Sequence, residues 1–386
     1  PTVGAMRILI IGGGVAGLTL AAELLQQGRT AVIVEKAAEY TDVGYGLGLY
    51  PLGSGVLHGL GRYKQFLDSG VVSQTYEVAD GKGKVLQSAQ MQTFTADIGP
   101  LVMISRTDLI DILRDAAGAA DFRMGTTVTG LDQSREDVVG VTLSDGTQED
   151  FDLVVAADGI YSQTRTSVFG HQRPDDTGWV LWTWWAELPQ WPKDLVREYW
   201  GRGSFFGVYP CKDRVMCAAG TPADEMTARP GDLDQARQFV RTTQADLIEA
   251  DPRIGAAIDE ATGFFPWPMA DVRAEHWSRG RVVLCGDAAV GFLPTAGVGA
   301  SNAMRGAAGL ADELSRVGPE TVPLALELFE KRCRKVIEDN QQDSRSVAKY
   351  MFVDSGPAAG GRDQLLKIYP AEKVVQQIIA SMKTPF

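Results

Sequence analysis

Several things are scarce in this chain of 386 residues. No apolar run approaches the 18 or so residues of a membrane helix, so no membrane span is expected. Only four cysteines occur, Cys211, Cys217, Cys285 and Cys333, and none forms a C-x-x-C pair. That spacing argues against a metal site and against a disulfide framework, leaving reduced core thiols in a cytoplasmic protein as the expectation. Histidine is rarer still, with three residues and no motif that would supply a general base. Basic clusters are missing and the net charge is −12, so nucleic acid is not an expected partner. There is no internal repeat and no low-complexity tract. The opening Pro1-Thr-Val-Gly-Ala runs straight into a strand-like segment and reads as no signal peptide.

What remains is the composition of a globular protein, 45% hydrophobic and 22% charged. Its length suits two or three domains' worth of core, burying roughly three quarters of the unfolded surface.

The stretch from Met6 to Lys36 organises the chain. Ile8 to Ile11 is a short β-branched run suited to a strand buried on both faces. Gly12, Gly14 and Gly17 follow as G-x-G-x-x-G, then an amphipathic segment opening at Val15 and Ala16, then a second buried strand, Ala31 to Val34. Glycine at the first two positions permits a tight turn and close approach to a pyrophosphate, and the third lets helix pack on strand. The helix N-terminus presents unpaired N–H groups and a positive dipole end. Glu35, 21 residues after Gly14 and followed by Lys36, stands where a carboxylate accepts hydrogen bonds from ribose hydroxyls. An unphosphorylated ribose, hence FAD or NAD, is expected.

Two further strand ends carry similar signals. A buried strand, Phe151 to Ala156, leads into Asp158-Gly-Ile-Tyr-Ser162-Gln-Thr-Arg165, and another, Arg281 to Cys285, leads into Gly286-Asp287-Ala-Ala. Pro294, Gly297 and Gly299 come next, then a small-residue helix from Ala300 to Leu314. Carboxylates at strand ends beside glycine-rich turns lie where open α/β sheets bind ligands. Ser105-Arg-Thr-Asp108 is a capping-box pattern. It places Arg106 at a helix start, where a cation is unfavourable unless an acid or a ligand holds it.

Between these motifs the pattern changes. Thr41 to Gly61 holds seven glycines, and Val43 to Leu49 reads as a loop whose backbone could lie against something flat. Pro51 to Leu60 reads as a short helix with His58 exposed. Six of the eight tryptophans fall between Trp179 and Trp200, where Val180, Trp182 and Trp184 alternate with Leu181, Thr183 and Trp185. That is the period of an antiparallel sheet. Such a sheet either packs under helices or roofs a pocket for a flat apolar substrate, for which Trp182, Trp184, Tyr209 and Pro294 are the candidate lining. Gly231 to Ile258 reads as a helical cover, and Phe264 to Met269 as the return to the first domain. Leu324 to Ile337 and Lys373 to Met382 read as terminal helices.

Taken together, the three strand-end motifs resemble the single-component FAD-dependent aromatic hydroxylases of the p-hydroxybenzoate hydroxylase-like fold. The likeness is nearest the salicylate hydroxylase and tetracycline-modifying monooxygenase branches and covers residues 6 to 320. It implies an α/β fold, with a Rossmann-like FAD-binding domain (6–75, 100–172 and 270–325), an interleaved antiparallel-sheet substrate domain (76–99 and 173–269) and C-terminal helices (326–386). It implies non-covalent FAD held by the first motif, by Arg106, by Asp158 and Arg165, by Asp287 against ribitol, and by Pro294 and Gly297-Val298-Gly299-Ala300 along the flavin. Gly48 and Val128 join the cofactor set on the same ground. NAD(P)H would be the transient reductant, and O2 would supply one atom to an aromatic or polyketide-like substrate through a flavin hydroperoxide. The chemistry would be the cofactor's, with no catalytic side chain assignable and no metal. A monomer or homodimer is expected. Val290, Val298 and Ser301 stand where the family usually has His, Gln and Asn; Asn302 comes one step later, and Arg305-Gly306 replaces an acidic pair. An FAD oxidase or reductase on the same fold is the alternative. Flavin-dependent halogenases share the first fingerprint and a W-x-W-x-I-P run, but Trp182-Thr-Trp184 is followed by too many residues before Pro189.

Overall fold

Strands Ile8–Ile11 and Leu153–Ala156 are buried along their whole length. They sit at the centre of a six-stranded sheet ordered Ser278–Arg279, Val282–Leu284, Leu153–Ala156, Ile8–Ile11, Ala31–Glu35 and Asp121–Met124. The pairings are parallel except at the Ser278–Arg279 edge. The computed structural model describes residues 6–41, 45–223 and 232–368. Continuous apolar strands need cover on both faces. Leu18, Leu109 and Leu310, from helices Val15–Gln26, Arg106–Ala117 and Gly299–Leu314, close one face over Ile8, Ile10 and Val155. A three-stranded sheet supplies Val139, Val141, Leu143 and Phe151 to the other, over Leu9, Ile11 and Val154.

A second sheet of eight strands runs Val290–Gly291, Phe265–Arg273, Asp175–Ala186, Val215–Pro222, Phe205–Pro210, Leu195–Trp200, Thr75–Asp80 and Val85–Gln90. It is antiparallel apart from the pairing of Leu195–Trp200 with Thr75–Asp80. Helices Leu233–Thr243, Ala245–Ala250 and Pro252–Asp259 cover its outer face through Val240, Leu247, Ile254 and Ile258. The mixed α/β architecture with C-terminal helices agrees with the sequence reading.

Details differ. The expected strand Phe151 to Ala156 is two strands, because Asp152 turns aside to accept the Arg7 backbone N–H at 2.7 Å. Phe264 to Met269 does not leave the substrate sheet. It begins the strand Phe265–Arg273, so a boundary at 270 falls inside a strand, and Val290–Gly291 of the third motif pairs with its end. Within the expected loop 43–49, Gly46–Leu49 is a strand antiparallel to Val102–Ser105, while Val43 and Gly44 lie outside the described residues. The helix expected from Leu324 to Ile337 is Val322–Met351, 30 residues, and is followed by Gly356–Ile368. The expected helix Lys373 to Met382 and Gly231 lie outside the described residues.

Candidate active site

The first turn is built by exclusion. Gly12 has φ 106°, and its N–H donates to the Val34 carbonyl at 2.8 Å. A Cβ on Gly12 would lie 2.4 Å from the Ala157 oxygen, and one on Gly17 would lie 2.1 Å from the Gly12 oxygen. At Gly14 a Cβ would meet nothing within 4 Å. Gly14 caps helix Val15–Gln26 with no side-chain acceptor. The N–H groups at Val15 and Ala16 therefore open onto space that a phosphate could enter. The Glu35 carboxylate accepts from the Gly13 and Ala37 N–H groups, each at 2.9 Å, which fixes it beside the turn with lone pairs to spare. The Tyr40 hydroxyl donates to the Gly13 carbonyl at 2.7 Å. Burial and the charge of Glu35 push that hydroxyl up to about 12. Lys36 is exposed just beyond, and Val128 is half-buried, packed against the core cluster that includes Leu9, Val141 and Leu143.

Asp158 and Arg165 behave differently from the sequence reading. The Asp158 carboxylate accepts from the Ser162 hydroxyl at 2.5 Å and from the Thr164 N–H and hydroxyl at 3.2 and 3.1 Å. It closes the N-terminus of helix Gln163–Phe169, whose cap is Ser162. Arg165 is 1% exposed. Its guanidinium donates to the carbonyls of Ala288 at 2.9 Å and Ile160 at 2.6 Å, and desolvation lowers its pKa. As a direct cofactor contact Arg165 is therefore corrected: it holds the second and third motifs together from beneath. The first and third motifs also touch, since a Cβ on Gly286 would lie 2.6 Å from that of Ala16. Three strand ends thus close around one cleft.

Asp287 projects into that cleft and is exposed, yet enough protein surrounds it that desolvation pushes its carboxyl up to about 6. Pro294 and Gly297 are exposed beside it, and Gly297 adopts φ 65°. Val298 is buried and caps helix Gly299–Leu314 without a side-chain acceptor, so the N–H groups of Gly299 and Ala300 also face outward. Asn302, one step from the family position, donates its amide to the Val298 carbonyl at 2.9 Å and accepts from Asn340 at 2.7 Å. It ties the turn to the long helix. Val290 is core, 3% exposed. Arg106 lies 5.9 Å from the centre of the Tyr45 ring. Burial raises the Tyr45 hydroxyl, the Arg106 charge opposes that rise and the Asp287 charge adds to it, so Tyr45 lies in the field of both. Among the described residues Arg106 has no carboxylate partner, which leaves its charge available to a ligand. Gly48 is half-buried, with a Cβ position 3.2 Å from Leu101.

The substrate lining needs a second correction. Trp182 and Trp184 lie under the outer helices, with Trp184 Nε1 donating to the Ala257 carbonyl at 2.9 Å. They are core, because three helices deliver apolar side chains to that face. Alternation then turns Leu181, Thr183 and Trp185 to the opposite face of the sheet. Tyr209 lies on that opposite face as well, packed against the cluster of Met103, Val196 and Cys211 that Trp185 also joins. Sequence reasoning missed Trp267, whose ring meets Tyr45 edge-on at 5.1 Å and whose Nε1 donates to the Thr183 hydroxyl at 2.9 Å. It also missed Glu198, buried among Tyr76, Trp200 and Tyr209; Leu195 to Trp200 reads LVREYW, without an alternating pattern to mark it.

The residues at the cleft fit FAD. Two uncapped helix N-termini suit pyrophosphate and a negative ring edge, two carboxylates suit ribose and ribitol hydroxyls, and the open Gly14 position admits the phosphates. Comparison with known proteins agrees. The FAD binding domain family matches residues 5–344. The 2-heptyl-3-hydroxy-4(1H)-quinolone synthase of Pseudomonas aeruginosa strain UCBPP-PA14 is 28% identical over 374 residues, 95% of this chain and 94% of that one. The 3-amino-4-hydroxybenzoate 2-monooxygenase of Streptomyces cremeus is 28% identical over 374 residues, 94% and 92% of the two chains. Among solved structures, Klebsiella pneumoniae HpxO complexed with FAD and uric acid superposes with a TM-score of 0.89 at 22% identity, over 98% of this chain and 97% of that one. Tetracycline destructase Tet(51) gives 0.75 at 22% identity, over 99% of each. The structural likenesses establish the fold, and the family match spans the three strand ends that build the cleft: the chain belongs to the FAD binding domain family, as a flavoprotein whose relatives are flavin-dependent monooxygenases.

Proposed function

We propose that the protein is an FAD-dependent monooxygenase that uses NAD(P)H and O2 to oxygenate an aromatic or polyketide-like small molecule. The observation that carries this reading is the closure of three strand-end turns around one cleft, beneath a sheet face that bears Thr183, Trp185 and Tyr209. Relatives named for a quinolone and for an aminohydroxybenzoate support an aromatic substrate.

Bound FAD supplies the electron transfer and the oxygen chemistry. The chain's own part is placement. Glu35 would hold the ribose and Asp287 the ribitol hydroxyls, and the N-terminus of helix Val15–Gln26 would face the pyrophosphate. Gly297 to Ala300, at the positive end of helix Gly299–Leu314, would favour negative charge on the reduced ring. The inner sheet face would align the reacting carbon, a demand measured in fractions of an ångström, and keep water out. All three histidines are exposed on the surface, so none serves as a buried base. NAD(P)H would bind transiently. The protein would work as a monomer or homodimer.

The test is direct. Purified protein should be yellow, release its flavin into solution on acid precipitation, and lose flavin absorbance with NAD(P)H. A product formed under labelled dioxygen should carry one labelled atom. Substrate-stimulated NAD(P)H consumption with no label in any product would instead assign an oxidase or reductase.

A further inference from the structure

Strand Leu195–Trp200 turns one carboxylate toward the cleft side of the large sheet. Glu198 is 6% exposed. Its Oε2 accepts from the Tyr76 hydroxyl at 2.7 Å and from Trp200 Nε1 at 3.0 Å, and its Oε1 accepts from the Tyr209 hydroxyl at 2.8 Å. No cation pairs with it among the described residues, and desolvation raises its carboxyl against the pull of these three donors. A buried, unpaired carboxylate is expensive for a fold, and such groups concentrate at functional sites.

The sheet makes room for this cluster. Gly207 stands opposite Glu198 in the strand register. A Cβ on Gly207 would lie 2.3 Å from the Tyr209 ring and 2.5 Å from its hydroxyl, so Tyr209 folds back across the glycine to reach the carboxylate. The cluster also borders the cofactor turn. Tyr50, whose hydroxyl is raised first by burial and then by the charge of Glu198, lies 3.6 Å from the Cβ position of Gly297.

Both tyrosines are half-buried and direct their hydrogens at Glu198. A phenol that donates inward keeps only lone pairs for a guest. Burial, then the same carboxylate, holds both hydroxyls protonated, so neither serves as a base. At Tyr76 and Tyr209 this face therefore offers a guest acceptors backed by negative charge.

We propose that Glu198, acting through Tyr76 and Tyr209, determines substrate specificity: it selects uncharged aromatic rings that present a hydrogen-bond donor, a ring N–H or a phenolic hydroxyl, and rejects ring carboxylates. This rests on the reading of that face as the substrate pocket of a monooxygenase. A donor meets an oxygen whose own proton is already committed to an anion. A carboxylate meets acceptors and like charge in a region of low dielectric.

Binding is read from perturbation of the bound flavin's absorbance in the FAD-loaded full chain, which needs no turnover. The probes are 4(1H)-quinolone, its N-methyl derivative and 4-oxo-1H-quinoline-2-carboxylate. The N–H compound should bind at least about tenfold tighter than either of the others, the scale of one hydrogen bond within a charged network. Glu198→Gln should shrink the penalty on the carboxylate by about tenfold. Tyr209→Phe, which removes one oxygen and leaves the packing, should erase much of the N–H preference and keeps the test available if the Glu198 variant loses FAD. Equal binding of the N–H and N-methyl compounds by the unmodified protein, or ratios unchanged in both variants, would overturn the proposal. Failure to incorporate labelled oxygen with these ratios intact would overturn the monooxygenase reading instead.

Discussion

Arg165 donates to the Ala288 carbonyl at 2.9 Å across 123 residues of sequence. This contact ties the turn after Leu153–Ala156 to the turn after Val282–Leu284, next to the Cys285 N–H that donates to the Ala156 carbonyl at 2.9 Å. Replacing it with methionine keeps most of the apolar volume but strands the Ala288 and Ile160 carbonyls. Each unsatisfied buried acceptor costs about 1–3 kcal/mol. Arg165→Met should therefore lower the melting temperature of the FAD-free protein and weaken FAD retention together. An unchanged melting curve would show that the turns hold without it.

The two faces of the tryptophan strand predict opposite phenotypes. Trp184→Ala empties a fully buried site and strands the Ala257 carbonyl, so it should cost roughly 3–5 kcal/mol of stability. Trp185→Ala should cost less stability and release more hydrogen peroxide per NAD(P)H consumed, because a misaligned substrate leaves activated oxygen without an acceptor. Peroxide yield alongside thermal melting separates the two. Uncoupling in Trp184→Ala without destabilisation would reverse the assignment of faces.

Glu35→Ala should reduce FAD affinity by about 10- to 150-fold, the equivalent of about 1.5–3 kcal/mol for a charge-assisted hydrogen bond. Glu35 also accepts from Gly13 and Ala37, so some loss would come from a looser turn. Titration of apoprotein with FAD gives the total, and hydrogen exchange at Gly13 gives the turn's share.

FAD affinity should depend on pH through Asp287. Its carboxyl in the FAD-free protein is pushed up to about 6 by desolvation. A ribitol hydroxyl donates best to the ionised form, so binding pulls that value down. Affinity should therefore be full above about pH 6 and fall as the pH drops through and below it. Asp287→Asn should flatten this part of the profile at a lower affinity. An identical pH dependence in the variant would remove Asp287 from the site.

Val290→His would restore a family residue at a position that is core and paired with the Phe265–Arg273 strand. The imidazole would lack a partner there, at a cost of about 1–3 kcal/mol. Melting temperature should fall with no gain in turnover; a faster enzyme would show that the position reaches the flavin.

Local chemistry was legible from the sequence alone. The Gly12 turn, the Ser105 cap, whose hydroxyl accepts the Asp108 N–H at 3.0 Å, and the strand ends at Glu35 and Asp287 are each specified within a few residues by φ preference, capping and apolar runs. Alternation from Val180 to Trp185 likewise announced two faces, but period two carries no sign. Which face became core was decided by helices Leu233–Thr243 to Pro252–Asp259, whose apolar side chains cover Trp182 and Trp184. The same limit hid the role of Arg165, which looks like a ligand residue in its motif until Ala288 arrives above it, and hid Glu198, whose partners come from three strands. Propensity and turn geometry are properties of neighbouring residues, whereas burial, orientation and the partners of a charge depend on segments that only the folded chain brings together.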